Sequence, residues 1–349
     1  MLLIVGVVLL LVSVGTIGAA WALSSHYEKN IRRADLLGNV PTTVKRTTGN
    51  QEDGGNIVGP LNFLVLGSDS RLADPTIDAD TVGQRSDTII LLHVTADLSH
   101  AYVVSIPRDS YVDIPAGGTW QGGKNKINAA FAYGGAPLAA QTIYNLTGSP
   151  LDGAVVVDFN SVRTMVNAVG GIRVCTPYTV RSIHTDRVWP AGCNHMTGDS
   201  AQDFMRQRYS VPGSDFGRIH DQQLVLQALL TKAVSSGTLT NPLRFNAFLK
   251  AATGAITVDQ SMDVMSLALA LRHLRPGDLT FATVPHTSSA LETPYGSAVK
   301  LDEAGTKAMF EAVNSDDLAE YLAAQPATPS PTGSTATANP YPAEALPAN

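Results

Sequence analysis

Apolar residues follow three patterns along this chain, and each predicts a different element. The first is one uninterrupted run, Leu2 to Leu23, of 22 positions without a charge. At ~1.5 Å rise per residue it spans about 33 Å, enough for a hydrocarbon core of about 30 Å. Residues 1–23 are therefore read as a single-pass membrane anchor. A cleaved signal peptide is the lesser alternative, since its apolar region is usually only ~7–15 residues, although Gly18, Ala19 and Ala20 offer a cleavage site. Lys29, Arg32 and Arg33 follow the run and no cation precedes it. The positive-inside rule then opposes export of the remainder.

The second pattern is the short apolar block bounded by turn formers, which predicts strands. Leu61–Leu66, Thr88–Val94 and Ala101–Ile106 fit it. Only a turn-rich segment separates the last two, so they pair antiparallel. If the first strand runs parallel to the third, three polar segments meet at one sheet rim. They are Gly67-Ser68-Asp69-Ser70-Arg71, Arg85-Ser86-Asp87 and Pro107-Arg108-Asp109.

The third pattern is helical spacing. Val162, Met165, Val166 and Val169 form one face of a helix capped by Asn160 or Ser161 and stopped at Gly170-Gly171. Thr197 caps a short helix ending near Met205. Leu226, Leu229, Leu230 and Ala233 continue a helix that begins around Asp215 to Gln223. Val264, Leu267, Leu271 and Leu274 follow a cap at Ser261, with core packing as the default and a lipid groove as the alternative. A further helix opens at Lys126-Ile127-Asn128.

Composition narrows the classes. The 349 residues are 44% hydrophobic, 15% charged and 6% aromatic, with a formal net charge of −6. That balance belongs to a folded chain, not a disordered one, and the acidity argues against a nucleic-acid partner. Residues 325–349 hold six prolines and one charge, a tail that cannot bury a core. Residues 24–59 read as a polar stalk, leaving 60–324 as one large α/β domain. The two cysteines, Cys175 and Cys193, exclude a Cys-rich metal module. In an oxidising compartment they would close a loop worth about 3 kcal/mol; two unrelated buried thiols are the alternative.

The chemistry follows from residue type. Arginines bond phosphate oxygens bidentately, and paired carboxylates hold Mg2+, a hard cation that bridges phosphates. The rim carries both kinds of group. Downstream, Arg206 and Arg208 point the same way if the chain between them is extended. Arg218 and Gln222 lie four apart near a helix start, where the macrodipole favours anions. Two aligned arginines beside that start suit a pyrophosphate, to which Lys126 adds a point charge. No standard nucleotide loop, nucleophile elbow or zinc motif occurs.

These segments occur in a telling order: GSDSR at 67–71, RSDT at 85–88, SIPRDS at 105–110, KINAAFAYGG at 126–135, GGI at 170–172, RQR at 206–208 and DFGR at 215–218, with Gln222-Gln223. Together they resemble the LytR-CpsA-Psr family of cell-wall assembly enzymes. The resemblance implies a single α/β domain with a central mixed sheet flanked by helices, outside the membrane on its anchor. It implies transfer of a glycopolymer from a polyprenyl-pyrophosphate carrier to peptidoglycan as a phosphodiester, with Mg2+ as cofactor and membrane lipid as a partner. Arabinogalactan is the leading candidate polymer, with a teichoic-acid-like chain beside it. The family pattern puts Asp69 and Asp87 on the metal. It puts Arg85, Arg108, Lys126, Arg206, Arg208, Arg218 and Gln222 on the pyrophosphate. Asp109 is the candidate general base beside Arg108. Asp221 stands where many members carry Arg, which removes a positive contact. A polyprenyl-pyrophosphate hydrolase and a non-catalytic wall-binding or regulatory module are the competing readings.

Overall fold

The computed structural model describes residues 31–42, 57–68, 86–207, 211–212, 215–233, 247, 250–251, 253–254, 256–271, 274 and 276–325. The expected anchor at 2–23, the tail beyond Gln325, Asp69, Arg85 and Arg208, and the side chain of Asp87 lie outside them. Among the described residues, no helix is long and apolar enough to cross a membrane.

Seven strands form one mixed sheet: β1 (Arg32–Ala34), β2 (Leu61–Ser68), β3 (Ser86–Val94), β4 (Ala101–Ile106), β7 (Gly153–Asp158), β12 (Ile256–Asp259) and β13 (Leu279–Thr283). The spatial order is β1-β12-β7-β2-β3-β4-β13. β3 is antiparallel to β4, as the short connection predicted, and β2 is antiparallel to β3, so β2 and β4 run the same way and the condition for a shared rim is met. β7 runs parallel to β2, and β13 to β4.

Side chains alternate along each strand, and this sheet buries both sets. Leu64, Leu66, Ile89, Leu91, Val104 and Ile106 face one core, closed by α1 (Asn128–Thr147) and α6 (Glu303–Asn314). Their alternates Val65, Ile90, Val103 and Phe281 face Leu226 of α4 (Asp215–Ala233). Phe63 and Val258 pack with Leu267 of α5 (Val264–Ala270). The result is a helix–sheet–helix sandwich of one α/β domain.

A second core lies beside the first. It joins α2 (Phe159–Ala168), α3 (Gly198–Phe204), the hairpin of β8 (Ile172–Thr176) with β11 (Gly192–Met196), and the Leu224, Val225 and Leu229 side of α4. Cys175 and Cys193 stand directly opposite on that hairpin and are joined by a disulfide.

Several local expectations hold. Thr197 caps α3 by accepting from the Ser200 N–H, and α2 stops where Gly170 and Gly171 take φ of 80° and 90°. Others need correction. Residues 31–42 are not stalk: β1 pairs with β12, and Leu36, Leu37 and Val40 are buried in the main core. The Asp259 carboxylate fixes that segment by accepting from the Leu36 and Leu37 N–H groups. Asp263, not Ser261, caps α5. Lys126 ends a short strand, β6 (Gly123–Lys126), paired with β5 (Tyr111–Ile114), and helix α1 begins only at Asn128.

Candidate active site

The carboxyl ends of β2, β4, β7 and β13 and the amino end of β3 meet at one rim of the sheet. The register fixes this: Ser68 pairs with Ser86 and with Asp158, Ile106 with Ile89, and Ser105 with Thr283. Asp69 follows Ser68 in the chain, and Asp87 follows Ser86. The described strands bring two acidic positions to this rim, Asp87 and Asp158, and Asp158 is one that the sequence pattern did not single out. It ends an apolar strand, the same signal carried by Asp69.

Beyond β4 the chain turns sharply. Ser110 donates both its N–H and its hydroxyl to the Pro107 carbonyl, at 3.0 and 2.7 Å. The turn is clamped from both sides. Asn128 N–H donates to the Arg108 carbonyl at 3.1 Å, and Val299 N–H donates to the Asp109 carbonyl at 2.9 Å. β15 (Ala298–Leu301), partner of β14 (His286–Leu291), provides that second clamp. With its backbone fixed, the turn presents its side chains to the rim.

Three predicted residues meet there. Asp109 lies between two cations, 3.5 Å from Arg108 Nε and 3.8 Å from Lys126 Nζ. The side chains of Arg108, Asp109 and Lys126 are 11%, 22% and 20% exposed. These separations exceed a charge-assisted hydrogen bond of about 2.8 Å. Among themselves the three groups are therefore held by loose electrostatic opposition and not by tight charge-assisted hydrogen bonds.

Helix α4 brings further groups to the same sheet end. Gln222 Oε1 accepts from the Thr88 hydroxyl at 2.8 Å, and Gln223 Nε2 donates to the Ser105 hydroxyl at 2.9 Å. These bonds seat the helix on β3 and β4 and leave the Gln222 amide NH2 as a donor. Arg218, one turn earlier, is 2% exposed, so it is a buried guanidinium and not a solvated one. Phe216 in the first turn stacks on His286 with ring centroids 4.1 Å apart.

Arg206 is placed differently. It is exposed, in the turn after α3, within the second module. Gln207 beside it is fully buried, donating to Asp203 Oδ1 and accepting from the Ile183 N–H. The buried glutamine fixes the segment that carries the arginine, a role hidden in the R-x-R pattern. Asp221 is also fully buried and accepts from the Tyr178 hydroxyl at 2.9 Å. Burial pushes its pKa up to about 8, against the opposing pull of that hydroxyl. At neutral pH it is therefore mostly uncharged.

Comparison with known proteins matches this arrangement. The LytR_cpsA_psr family model matches residues 29–312. A probable cell wall biosynthesis protein, LcpB, from Corynebacterium glutamicum is 36% identical over 259 residues, covering 72% of this chain and 60% of the relative. This chain thus spans less than two thirds of that relative's length. A polyisoprenyl-teichoic acid–peptidoglycan teichoic acid transferase, TagU, from Enterococcus faecalis is 34% identical, covering 64% of this chain and 69% of the relative. The crystal structure of protein gbs0355 from Streptococcus agalactiae shares the fold, with a TM-score of 0.62 and 23% identity over 74% of this chain and 88% of that one. With the family model matching most of its length, the chain belongs to the LytR-CpsA-Psr family.

Proposed function

We propose that this protein transfers a glycopolymer from a polyprenyl-pyrophosphate carrier to peptidoglycan, forming a phosphodiester. The observation that carries the reading is the Arg108–Asp109–Lys126 cluster, set at the sheet rim by a doubly clamped turn. A relative named for moving teichoic acid from a polyisoprenyl carrier to peptidoglycan supports the substrate class.

In this reading Arg108, Lys126 and Arg218 neutralise the pyrophosphate, and the Gln222 amide donates to it; Arg85, Arg206 and Arg208 complete the set. An acceptor sugar hydroxyl attacks the glycan-side phosphorus, and Asp109 takes its proton. The P–O–P bond breaks and polyprenyl phosphate leaves. Such transfers need positioning and charge neutralisation more than covalent help from the protein.

Mg2+ fits the rim by donor chemistry. Asp69 and Asp87 follow paired positions on adjacent strands and supply hard oxygen ligands. Among the described residues, no three His, Cys, Asp or Glu side chains gather into a metal cluster. Both candidate carboxylates lie outside that set. Bound there, the ion would offset charge on the pyrophosphate oxygens. The reading also places the domain outside the cell membrane on an anchor at 1–23, with arabinogalactan or a teichoic-acid-like chain as cargo.

The test uses the full chain in detergent with a labelled polyprenyl-pyrophosphate oligosaccharide and peptidoglycan glycan strands. Label should move covalently to the strands and be lost with chelator. Phosphorylated sugar released regardless of acceptor would favour a hydrolase, and binding without turnover would sink both enzymatic readings.

A further inference from the structure

Three aromatic residues from three separate segments meet beside the charged rim. Trp120 comes from the connection between β5 and β6, Tyr133 from α1, and Tyr295 from the loop between β14 and β15. The Trp120 and Tyr133 rings stack with centroids 4.8 Å apart and planes 23° from parallel. Tyr295 approaches Trp120 edge-on at 6.2 Å. Trp120 and Tyr133 are half-buried against the main core, while Tyr295 is 45% exposed. Among the described residues it is the one aromatic side chain counted with the exposed large apolar groups.

The cluster is built, not incidental. Helix α1 breaks at Gly134 and Gly135, and Pro137 has no N–H for the Tyr133 carbonyl. That carbonyl accepts instead from the Thr119 N–H at 3.0 Å and the Thr119 hydroxyl at 3.3 Å. Gly118 takes φ +57° to allow the approach, and a Cβ there would lie 2.1 Å from the carbonyl oxygen. Gly117 and Trp120 exchange backbone hydrogen bonds, and Trp120 Nε1 donates to the Ile114 carbonyl at 3.3 Å. On the opposite loop, the Thr293 hydroxyl donates to the Gly296 carbonyl at 2.6 Å and accepts from the Tyr295 N–H at 3.1 Å. Both loops therefore hold their rings in set positions.

Position gives the cluster a purpose. Gly296, next to Tyr295, packs against the Lys126 ammonium, which a Cβ at that glycine would approach to 3.9 Å. The rings are thus continuous with the cluster through Lys126 and Asp109. The two loops that carry Trp120 and Tyr295 also carry exposed polar residues, among them Gln121, Glu292 and Ser297. A polyprenyl chain would need continuous apolar walls. A sugar ring offers an apolar C–H face to an aromatic plane and hydroxyls to a polar border.

We propose that Trp120, Tyr133 and Tyr295 form a stacking subsite for the acceptor glycan strand. The inference rests on the transferase reading and names the surface that receives its second substrate. The acceptor is the substrate assigned because Asp109, the group that takes the acceptor's proton, is the carboxylate on this side.

The experiment titrates the full chain with soluble, un-cross-linked peptidoglycan glycan strands. It follows tryptophan emission and, separately, the acceptor KM of label transfer. Tyr295→Ala should weaken strand binding about three- to tenfold and raise the acceptor KM equally. Donor binding should stay unchanged, and Tyr295→Phe, which keeps the ring, should behave as the native chain. Circular dichroism confirms that each variant is folded; Tyr295 is exposed enough for its replacement to spare the core. Native-like strand binding by Tyr295→Ala overturns the subsite while leaving the transferase reading intact. A loss confined to the donor glycopolymer overturns it too. Tyr295-dependent strand binding without any transfer by the native chain supports the subsite and removes the transferase.

Discussion

The ionisable side chains at the two ends of the same central strands are held in different ways. At the far end of β2 and β3, His93 is fully buried, with Nδ1 2.8 Å from Asn62 Oδ1 and Nε2 2.9 Å from Asp316 Oδ1. Asp316 also accepts from the Ala96 N–H, and Asp152 accepts from the Asn62 N–H. At the rim end, Arg108, Asp109 and Lys126 remain partly exposed at 3.5 and 3.8 Å. Tight saturation at one end ties the C-terminal helices to the sheet. At the other end, one carboxylate opposes two cations at longer range. These two charged clusters at strand ends are separated by contact length and not by residue type.

Breaking each end in turn sharpens the contrast. Arg108→Ala should lower label transfer about 10²- to 10³-fold while moving stability by under about 1 kcal/mol. Transfer assays paired with urea unfolding measure both; equal losses in both would erase the distinction between the ends. His93→Ala should do the reverse. It leaves a cavity and strands buried partners, costing about 3 kcal/mol, with turnover per folded molecule unchanged. Burial lowers the His93 pKa despite the opposing pull of Asp316, so its contribution is present above the unfolded value of 6.5. That contribution is lost as pH falls through the lower folded value, and the variant should show a weaker loss of stability in mild acid.

Asp221 tests the boundary between the modules. Its folded pKa, near 8, lies above the unfolded 3.8. The native state therefore holds a proton that the unfolded chain has shed. Stability is fully present below about pH 4 and declines as pH rises toward 8. Asp221→Asn should flatten that decline in unfolding midpoints measured from pH 5 to 8. The gain at pH 7.5 should be about 2 kcal/mol, since an unpartnered amide N–H offsets part of the relief. The smallest effect belongs to Lys126→Met. Loss of one partly exposed cation should weaken donor binding about tenfold, by a factor that shrinks as salt rises.

Much of the main sheet was legible because its signals are local. Apolar blocks ended by Gly-Ser-Asp or Pro-Arg-Asp specify strands, and a short turn specifies antiparallel pairing. The ordered motifs then carried the family. Thr197 as a cap and Gly170-Gly171 as a stop were legible for the same reason: each acts on backbone groups within one turn. Other readings failed where a distant partner decides. Residues 31–42 look like linker because β1 is only three residues long, and its partner β12 lies more than 200 residues away. The Ser261 reading failed for a local reason instead: its hydroxyl donates to Asp259 two residues back, and Asp263 caps the helix.

The sequence by itself determined which residue types could meet an anion, where the strands of the rim end, and which family they serve. Those properties depend on side-chain chemistry and neighbours a few positions apart. The tertiary structure decided which of those residues share a contact and which are buried. It buried Arg218, neutralised Asp221 beside Tyr178, and left Arg206 exposed in a separate module. It also set Trp120, Tyr133 and Tyr295 beside Lys126 from three segments with no common pattern. Burial and long-range contact fix dielectric and geometry, and neither is written in the spacing of residues along the chain.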